Sequence, residues 1–511
     1  MLHRESGVFK TSYAADMALY PLPIARWTVA AVLLIFVVVL PLSLQEYYLS
    51  VINLVLIAIV GALGLNILVG YTGQISVGHA AFMSVGAYTA ANLAVHLELP
   101  FWVTLPAGGL MAAAALCVAG GAGSAKEVLI GGQCDRTGPT QIVGVVICPA
   151  IQDYIDLINS KGGVEGYQIK YNELDNEYKV PQAVEEYQRQ KQMGAVSMLI
   201  YGTPQAQALN EKLVEDKIPG TSPGFGISAS ADGKRFPYLF PVAATYWSQS
   251  AAAIQFIKDK LGGSLKGNRI VYVYYDNPAG HEPLPILEDL QKTEGFELRS
   301  FAVPPPGVEM GAQALDIAQR YRPDFVIDHL FGRSPSVAIK EYKRAGYPLS
   351  KVMGLVWASA EADIMAAGGW QAAEGYHTLQ FAGAGDDYPI RQEIKTMYKA
   401  QGKDPPKGMD TDTVIYNRGI LIAALHVEAL RNALKANGGK QPTGTDMKNG
   451  FEQIRDFTLG GLVPPLEVTP EDHEGGGWVQ IFQVHDGKFV KETDWFRAYP
   501  AVVAAAVRKA E

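Results

Sequence analysis

The stretch Lys126–Thr140, KEVLIGGQCDRTGPT, holds the residues of this sequence best placed for chemistry. A short apolar run, Val128–Ile130, enters a glycine-rich turn, and a long helical pattern begins near Thr137–Thr140. Where a strand of an open α/β sheet ends and a helix begins, free N–H groups and the helix dipole favour an anion. Arg136 adds a planar guanidinium that can hold an anion bidentately, and Thr137 adds a hydroxyl. A surface pair between Arg136 and Asp135 is the alternative use of the same residues. Either way the turn offers binding, not bond cleavage. The sequence carries no GxxxxGKS/T phosphate loop, no GxSxG nucleophile elbow and no HExxH zinc site. No catalytic residue, cofactor or metal is expected, and the chain is not expected to be an enzyme.

Charge and length narrow the partners. A chain of 511 residues exceeds one hydrophobic core, so two or three domains are expected. Only Arg4, Lys10 and Arg26, with Glu5, Asp16, Glu46 and Glu98, carry charge before Lys126. Of the 43 basic and 51 acidic residues, 40 and 47 thus fall in 126–511, a net charge of −7. That acidic balance argues against nucleic acid as a partner. The three cysteines, Cys117, Cys134 and Cys148, are too few for a disulfide framework and lack metal-ligand spacing. Cys134 and Cys148 read as two packed thiols, with pairing in an oxidising compartment as the alternative.

The elements that must position the turn follow from hydrophobic periodicity. Apolar, β-branched runs predict strands over Val128–Gly132, Tyr167–Leu174, Ser197–Gly202 and Ile218–Ser222. A second set covers Arg269–Tyr275, Glu297–Val303, Asp324–Leu330, Lys351–Val356 and Tyr376–Phe381. Helices are predicted between them at Ile142–Asn159, Pro181–Met193, Gln249–Leu261, Ala312–Tyr321 and Pro335–Ala345. The first helix carries Ile142, Val146, Ala150, Tyr154 and Ile158 as its expected buried stripe. Strand–helix alternation predicts an α/β fold with parallel sheets, and two strand sets predict two lobes that part near Pro241–Trp247.

Residues 1–125 follow different rules. No Lys or Arg occurs between Arg26 and Lys126, and Trp27–Leu44, Val51–Leu68 and Val103–Ala122 are apolar runs of spanning length. Ser76, Ala80 and Ser84 recur at a spacing that suits close helix packing in a membrane. The stretch Gly64–Tyr88, with its GxxGQxSxGHAAF core at Gly70–Phe82, resembles the permease family of branched-chain amino acid ABC transporters. The resemblance covers about residues 25–110, a fragment that lacks the family's further spans and its cytoplasmic coupling loop. Met111–Ala125 also reads as the apolar region of a signal peptide, with Gly123-Ser124-Ala125 as a small-residue cleavage site. The expected division is therefore an all-α, permease-like membrane segment at 1–125 and a solute-binding domain at 126–511. Basic residues before the first span predict a cytoplasmic N-terminus. Three spans, or cleavage after Ala125, place 126–511 in the periplasm, membrane-anchored if 1–125 is retained; four uncleaved spans leave it in the cytoplasm.

Residues 126–500 resemble the type I periplasmic solute-binding proteins of the same transporter family. The likeness rests on DRTGP (Asp135–Pro139), INSKGGVEGYQIKY (Ile158–Tyr171), YGTPQ (Tyr201–Gln205), SPG (Ser222–Gly224), YYDNPAGHE (Tyr274–Glu282) and WVQIFQVHDGKF (Trp478–Phe489). It implies two α/β lobes that close on a ligand as a clamp. Lobe one would comprise about 126–244 and 375–475, lobe two about 245–374 and 476–511. In that family lobe one holds the ligand carboxylate with hydroxyls and backbone N–H groups. The matching positions here are Thr203, Gly224, Phe225 and Ser228; Gln205, and Arg136 and Thr137 on the first turn, are further expected ligand residues. Amino-acid binders of the family also hold the ammonium with acidic side chains. Tyr246 and either Val356 or Trp357 occupy those positions here. Phe225, Tyr246, Phe331 and Trp357 then suggest walls for a flat ring. His329 and Arg333 flank Phe331, and Asn277 and His281 complete the lobe-two side. The expected function is the extracytoplasmic component of an ABC importer, capturing a small aromatic or apolar carboxylate. Its partners would be that ligand, the permease and ATPase subunits, and the membrane through 1–125. A branched-chain amino acid ligand and a ligand-sensing receptor are the alternatives.

Overall fold

The structure is a computed structural model that describes residues 23–35, 42, 79–97, 99–100, 102–104, 106–111 and 126–510. It divides into two compact units, 1–124 and 125–511. In the first, helices Pro23–Leu34 and His79–His96 are described. The apolar run Val51–Leu68, most of the permease-like motif and the signal-like segment after Met111 lie outside the described residues.

The second unit builds two sheets. The first has five strands in the order β2-β1-β3-β4-β5: β1 is Lys126–Cys134, β2 Tyr167–Asp175, β3 Ser197–Leu199, β4 Gly220–Thr221 and β5 Leu239–Phe240. All its pairings are parallel. The second has seven strands in the order β12-β11-β10-β9-β8-β6-β7. Its strands are β6 Arg269–Tyr275, β7 Glu297–Val303, β8 Phe325–His329, β9 Val352–Gly354, β10 His377–Gln380, β11 Gln480–His485 and β12 Lys488–Lys491. We call the bodies built on these sheets lobe one and lobe two. Strands β6 and β7 keep their predicted bounds, because each is an unbroken apolar or alternating run between turn residues. Strands β3 and β4 shrink to three and two residues, and the residues after β3, Ile200, Tyr201 and Gly202, line the cleft.

One expectation about the lobes needs correction, and one element goes beyond the expected strands. Strand β10 pairs with β9 and β11 in the second sheet, so residues 375–380 belong to lobe two. The chain returns to lobe one only after Gln380. The hairpin β11–β12 was not foreseen as strands, although His485-Asp486-Gly487-Lys488 has the Asp-Gly turn of a tight hairpin.

The core of lobe one is set by two long helices, Gln141–Ser160 and Thr413–Ala436, which pack on each other. Both are long and apolar enough to cross a membrane, yet they lie largely buried inside the unit. The second is pinned under the first sheet by His426, whose ring nitrogens meet Ser197 Oγ at 2.8 Å and Thr221 Oγ1 at 2.9 Å. Burial pushes the His426 pKa down to about 3, so the ring is neutral and needs no counter-ion. The buried stripe of Gln141–Ser160 runs through Ile147, Ile151 and Ile155, with Ala150 and Tyr154 beside it. Ile142, Val146 and Ile158 lie at its half-buried margin, because the neighbouring helix covers the 147–151–155 face.

Cys134 and Cys148 form a disulfide, which overturns the packed-thiol expectation. The bond ties the end of β1 to the second turn of the helix that follows it. Cys134, Cys148 and Glu173 have metal-ligand proximity, but both sulfurs are committed to this bond.

Two outcomes follow for stability. Residues 126–511 expressed alone are expected to be soluble, monomeric and cooperatively folded; aggregation rescued only by residues 1–125 would refute this. The disulfide spans 14 residues, a loop length for which closure is worth about 3 kcal/mol. Cys148→Ser should lower the denaturant midpoint of that unit accordingly, and reductant should then have no further effect on it.

Candidate functional site

The turn after β1 is organised by Asp135, which is fully buried. Its carboxylate accepts from Gly138 N, from Thr140 N at 2.7 Å and from Thr140 Oγ1 at 2.6 Å. Those bonds fix the entry to helix Gln141–Ser160 and aim Thr140 at the space between the lobes. The turn edges the cleft as expected, but with different residues. Arg136 pairs with Glu173 on β2, and the bond and charge of Glu173 raise the guanidinium pKa further. Thr137 Oγ1 donates to Asp175 at 2.8 Å. Neither Arg136 nor Thr137 lines the cavity described next.

That cavity lies where the two sheets' strand ends face each other. It measures about 50 Å³, on a scale where about 10–15 Å³ holds one water. Lobe one supplies its lower wall through Thr140, Tyr178, Tyr201, Gly202 and Thr203, together with Pro223 and Phe225. Lobe two closes it with Tyr246, Phe331, Gly332 and Trp357. Val143, Ile147, Ile151, Leu199, Ile200 and Ile422 form its apolar floor, with Gln133 at one side.

The expected aromatic residues thus converge. Phe225 and Trp357 face each other across the lobes with ring centroids 5.9 Å apart. Phe331 meets Tyr275 edge-on at 5.7 Å, and Tyr246 meets His329 at 4.3 Å. Polar groups gather between them. Thr203 Oγ1 accepts from Gly226 N at 3.1 Å. The Tyr246 hydroxyl meets Thr203 and Trp357, and the Tyr178 hydroxyl meets Asn277 and the Thr203 backbone. Burial pushes the pKa of Tyr178, Tyr201 and Tyr246 up, so all three stay protonated donors. None of the lining side chains is acidic or basic.

Several expected residues sit behind or beside this cavity. Gln205 is fully buried with neither side-chain atom hydrogen-bonded, and it lies against Gly202. A Cβ on Gly202, whose φ is +111°, would come 1.9 Å from the Gln205 oxygen, so glycine is required there. Gly224 lends only its carbonyl, to Gln249 Nε2 at 3.1 Å. Ser228 N donates at 2.9 Å to Glu282, a lobe-two carboxylate whose pKa is raised by burial. Asn277 caps the short helix Pro278–His281, accepting from Gly280 N. His281 is half exposed and pairs with Asp276 at 3.0 Å. Arg333 is exposed, and its carbonyl caps Ser336. His329 is wholly buried, its pKa lowered to about 3, with Nδ1 2.8 Å from Tyr272 Oη. Arg136, Thr137, His281 and Arg333 thus lie at or near the surface outside this cavity, and Gln205, Gly224, Ser228 and Asn277 lie behind or beside its wall.

Sequence reasoning missed the tyrosines Tyr178 and Tyr201, the floor residues, and helix Thr413–Ala436 with its Arg418. The long apolar period of that helix was a usable signal. Arg418 is fully buried and lies behind Trp357, 5.2 Å from its ring centroid. It donates to Val356 O, to Ser359 Oγ at 3.0 Å and to Gln380 Oε1. Burial lowers its pKa to about 10, which leaves it a cation at neutral pH. The lobes also touch at Gly332, where a Cβ would come 2.4 Å from Pro139 O.

The profile of the periplasmic binding protein family matches residues 127–488, and that of the branched-chain amino acid transport permease component matches residues 47–124. A high-affinity branched-chain amino acid transport permease protein of Escherichia coli is 41% identical over 83 residues, 16% of this chain and 20% of its own length. The chain thus spans about a fifth of the curated relatives it matches. A solved protein of the Pseudomonas fluorescens group, described as an ABC transporter permease, is 32% identical with a TM-score of 0.69, over 76% of this chain and 96% of that one. A branched-chain amino acid ABC transporter structure from Thermus thermophilus with bound valine is 21% identical, with a TM-score of 0.65 over 75% and 98%. A fatty acid ABC transporter substrate-binding protein from Thermomonospora curvata is 20% identical, with a TM-score of 0.62 over 74% and 94%.

Because Arg136 is held by Glu173 and Thr203 faces the cavity, their alanine variants should part company. Thr203→Ala should weaken binding of a carboxylate about 10- to 150-fold, the loss of one charged hydrogen bond of about 1.5–3 kcal/mol. Arg136→Ala should stay within about twofold of the parent by calorimetry. Equal losses in both would return Arg136 to the site.

Proposed function

The chain belongs to the periplasmic binding protein family, and on that premise we propose that its cleft captures a small aromatic or otherwise apolar carboxylate for an ABC importer. One observation carries this reading. The cavity offers neutral donors, Thr203, Tyr178, Tyr246 and Trp357, within apolar walls, and no acidic side chain lines it. An amino acid would bring an ammonium group into that space, and a buried ammonium without a carboxylate partner is costly. A carboxylate needs only donors, which hydroxyls, an indole N–H and backbone amides provide. Phe225 and Trp357 stand in contact, 5.9 Å apart and tilted by 60°, and present aromatic surface to the cavity. Each aromatic pair formed adds about 0.5–1.5 kcal/mol beyond area burial.

The finer placement belongs to the same proposal. The permease-like residues 47–124 support a membrane-associated chain whose 126–511 unit works in the periplasm. The disulfide Cys134–Cys148 accords with that oxidising compartment. Permease and ATPase subunits would be its partners.

Calorimetry on the 126–511 unit tests the ligand class. Benzoate-like or phenylpropanoid acids should bind with micromolar or tighter affinity, about −8 kcal/mol or better. Leucine, isoleucine and valine should bind weakly or not at all. Trp357→Ala should cost about tenfold or more, roughly 1.4 kcal/mol. Tight leucine binding without response to aromatic acids would restore the amino-acid reading.

A further inference from the structure

On the lobe-one side, part of the cavity's lining is aliphatic. Val143, Ile147 and Ile151 recur every four residues along helix Gln141–Ser160 and so form one stripe. Ile422 faces that stripe from helix Thr413–Ala436, and Leu199 closes it at the end of β3. From Val143 to Ile151 the stripe extends roughly 12 Å at 1.5 Å per residue. All five side chains are aliphatic, so none of them can bind the polar end of a ligand. The hydroxyl donors Thr203, Tyr178 and Tyr246 line the same cavity. Lobe two supplies none of the five. Four of the five belong to the buried core and Val143 packs against it, and all five also border the cavity of the aromatic walls.

We infer that this aliphatic lining is a tail subsite: the ligand's carboxylate stays with the hydroxyl donors while its apolar tail lies against the two long helices of lobe one. The inference rests on the apolar-carboxylate reading of the cleft and names a finer ligand class within it, acids with a slender, unbranched tail. The whole cavity, donors and aromatic walls included, measures about 50 Å³, room for about four waters, so even a short tail uses most of it. Longer tails must spread the helices and hold the lobes apart, so tail length becomes the property the protein selects.

The test is a chain-length series of straight-chain acids, butyrate through decanoate, beside benzoate as the member without a tail, titrated into the full chain held in nanodiscs. Affinity should rise about three- to fourfold per methylene over the first members, the burial gain of one CH₂, and fall once the tail outgrows the subsite. Ile422→Phe, checked for folding by circular dichroism, should abolish that rise. A photoreactive acid with a diazirine at its tail end requires no variant: its adducts should map to Val143–Ile151 or Ile422. A flat series in the unaltered chain, or adducts confined to Phe331 and Trp357, would overturn the tail subsite while leaving the apolar-carboxylate reading intact. Failure of every acid in the series to bind would overturn both.

Discussion

The buried guanidinium of Arg418 is the contact on which the rest of the clamp depends. It leaves the long helix of lobe one and ends among Val356, Ser359 and Gln380, at the strand ends of lobe two. A cation so placed is tolerable only because those acceptors and the nearby acids Asp412, Glu361 and Asp363 surround it. Removing the partners of such a group typically costs about 3–5 kcal/mol. The helix is held from the other side as well, since Glu361 of lobe two accepts from Thr413 N and Val414 N at 3.2 Å. A carboxylate at a helix N-terminus meets the free N–H groups and the positive end of the dipole. The same guanidinium lies over the rings of Trp357 and Phe381, 5.2 and 5.0 Å from their centroids. Arg418 therefore joins the lobes and backs an aromatic wall of the cavity at once.

The opposite edge of the cleft is built without a cation. Asp135 draws the turn after β1 around its carboxylate, and the disulfide Cys134–Cys148 ties that turn's start to the helix beyond it. Thr140 is thereby fixed at the cavity, while Arg136 and Thr137 are turned to Glu173 and Asp175 on β2. Where the chain passes between lobes, Thr245 N donates to Glu474 at 2.7 Å and Val242 N to His473 O at 3.0 Å, so two crossings brace each other. Glu282 and Ser228 make a further contact across the cleft. Charged groups behind the walls, Arg418 and Asp135 among them, hold both edges, and the groups that line the cavity itself are neutral donors and rings.

Periodicity and composition settled the larger features of this chain. The charge boundary at Lys126, the α/β alternation, the two strand sets and the bounds of β6 and β7 are local properties, legible because each run's spacing dictates its element. The four aromatic residues Phe225, Tyr246, Phe331 and Trp357 were also legible, since each follows a strand end and such ends face the cleft. Tertiary structure decided what depends on partners distant in sequence. Arg136 went to Glu173, 37 residues away, because β2 lies beside β1. Strand β10 joined lobe two because β11, about a hundred residues later, pairs with it. The place of Tyr178, the aliphatic part of the cavity lining and the place of Arg418 arise only where two lobes and two long helices meet. No spacing within any one segment encodes that meeting, because burial and hydrogen-bond partnership are properties of surfaces brought together, not of the runs that carry them.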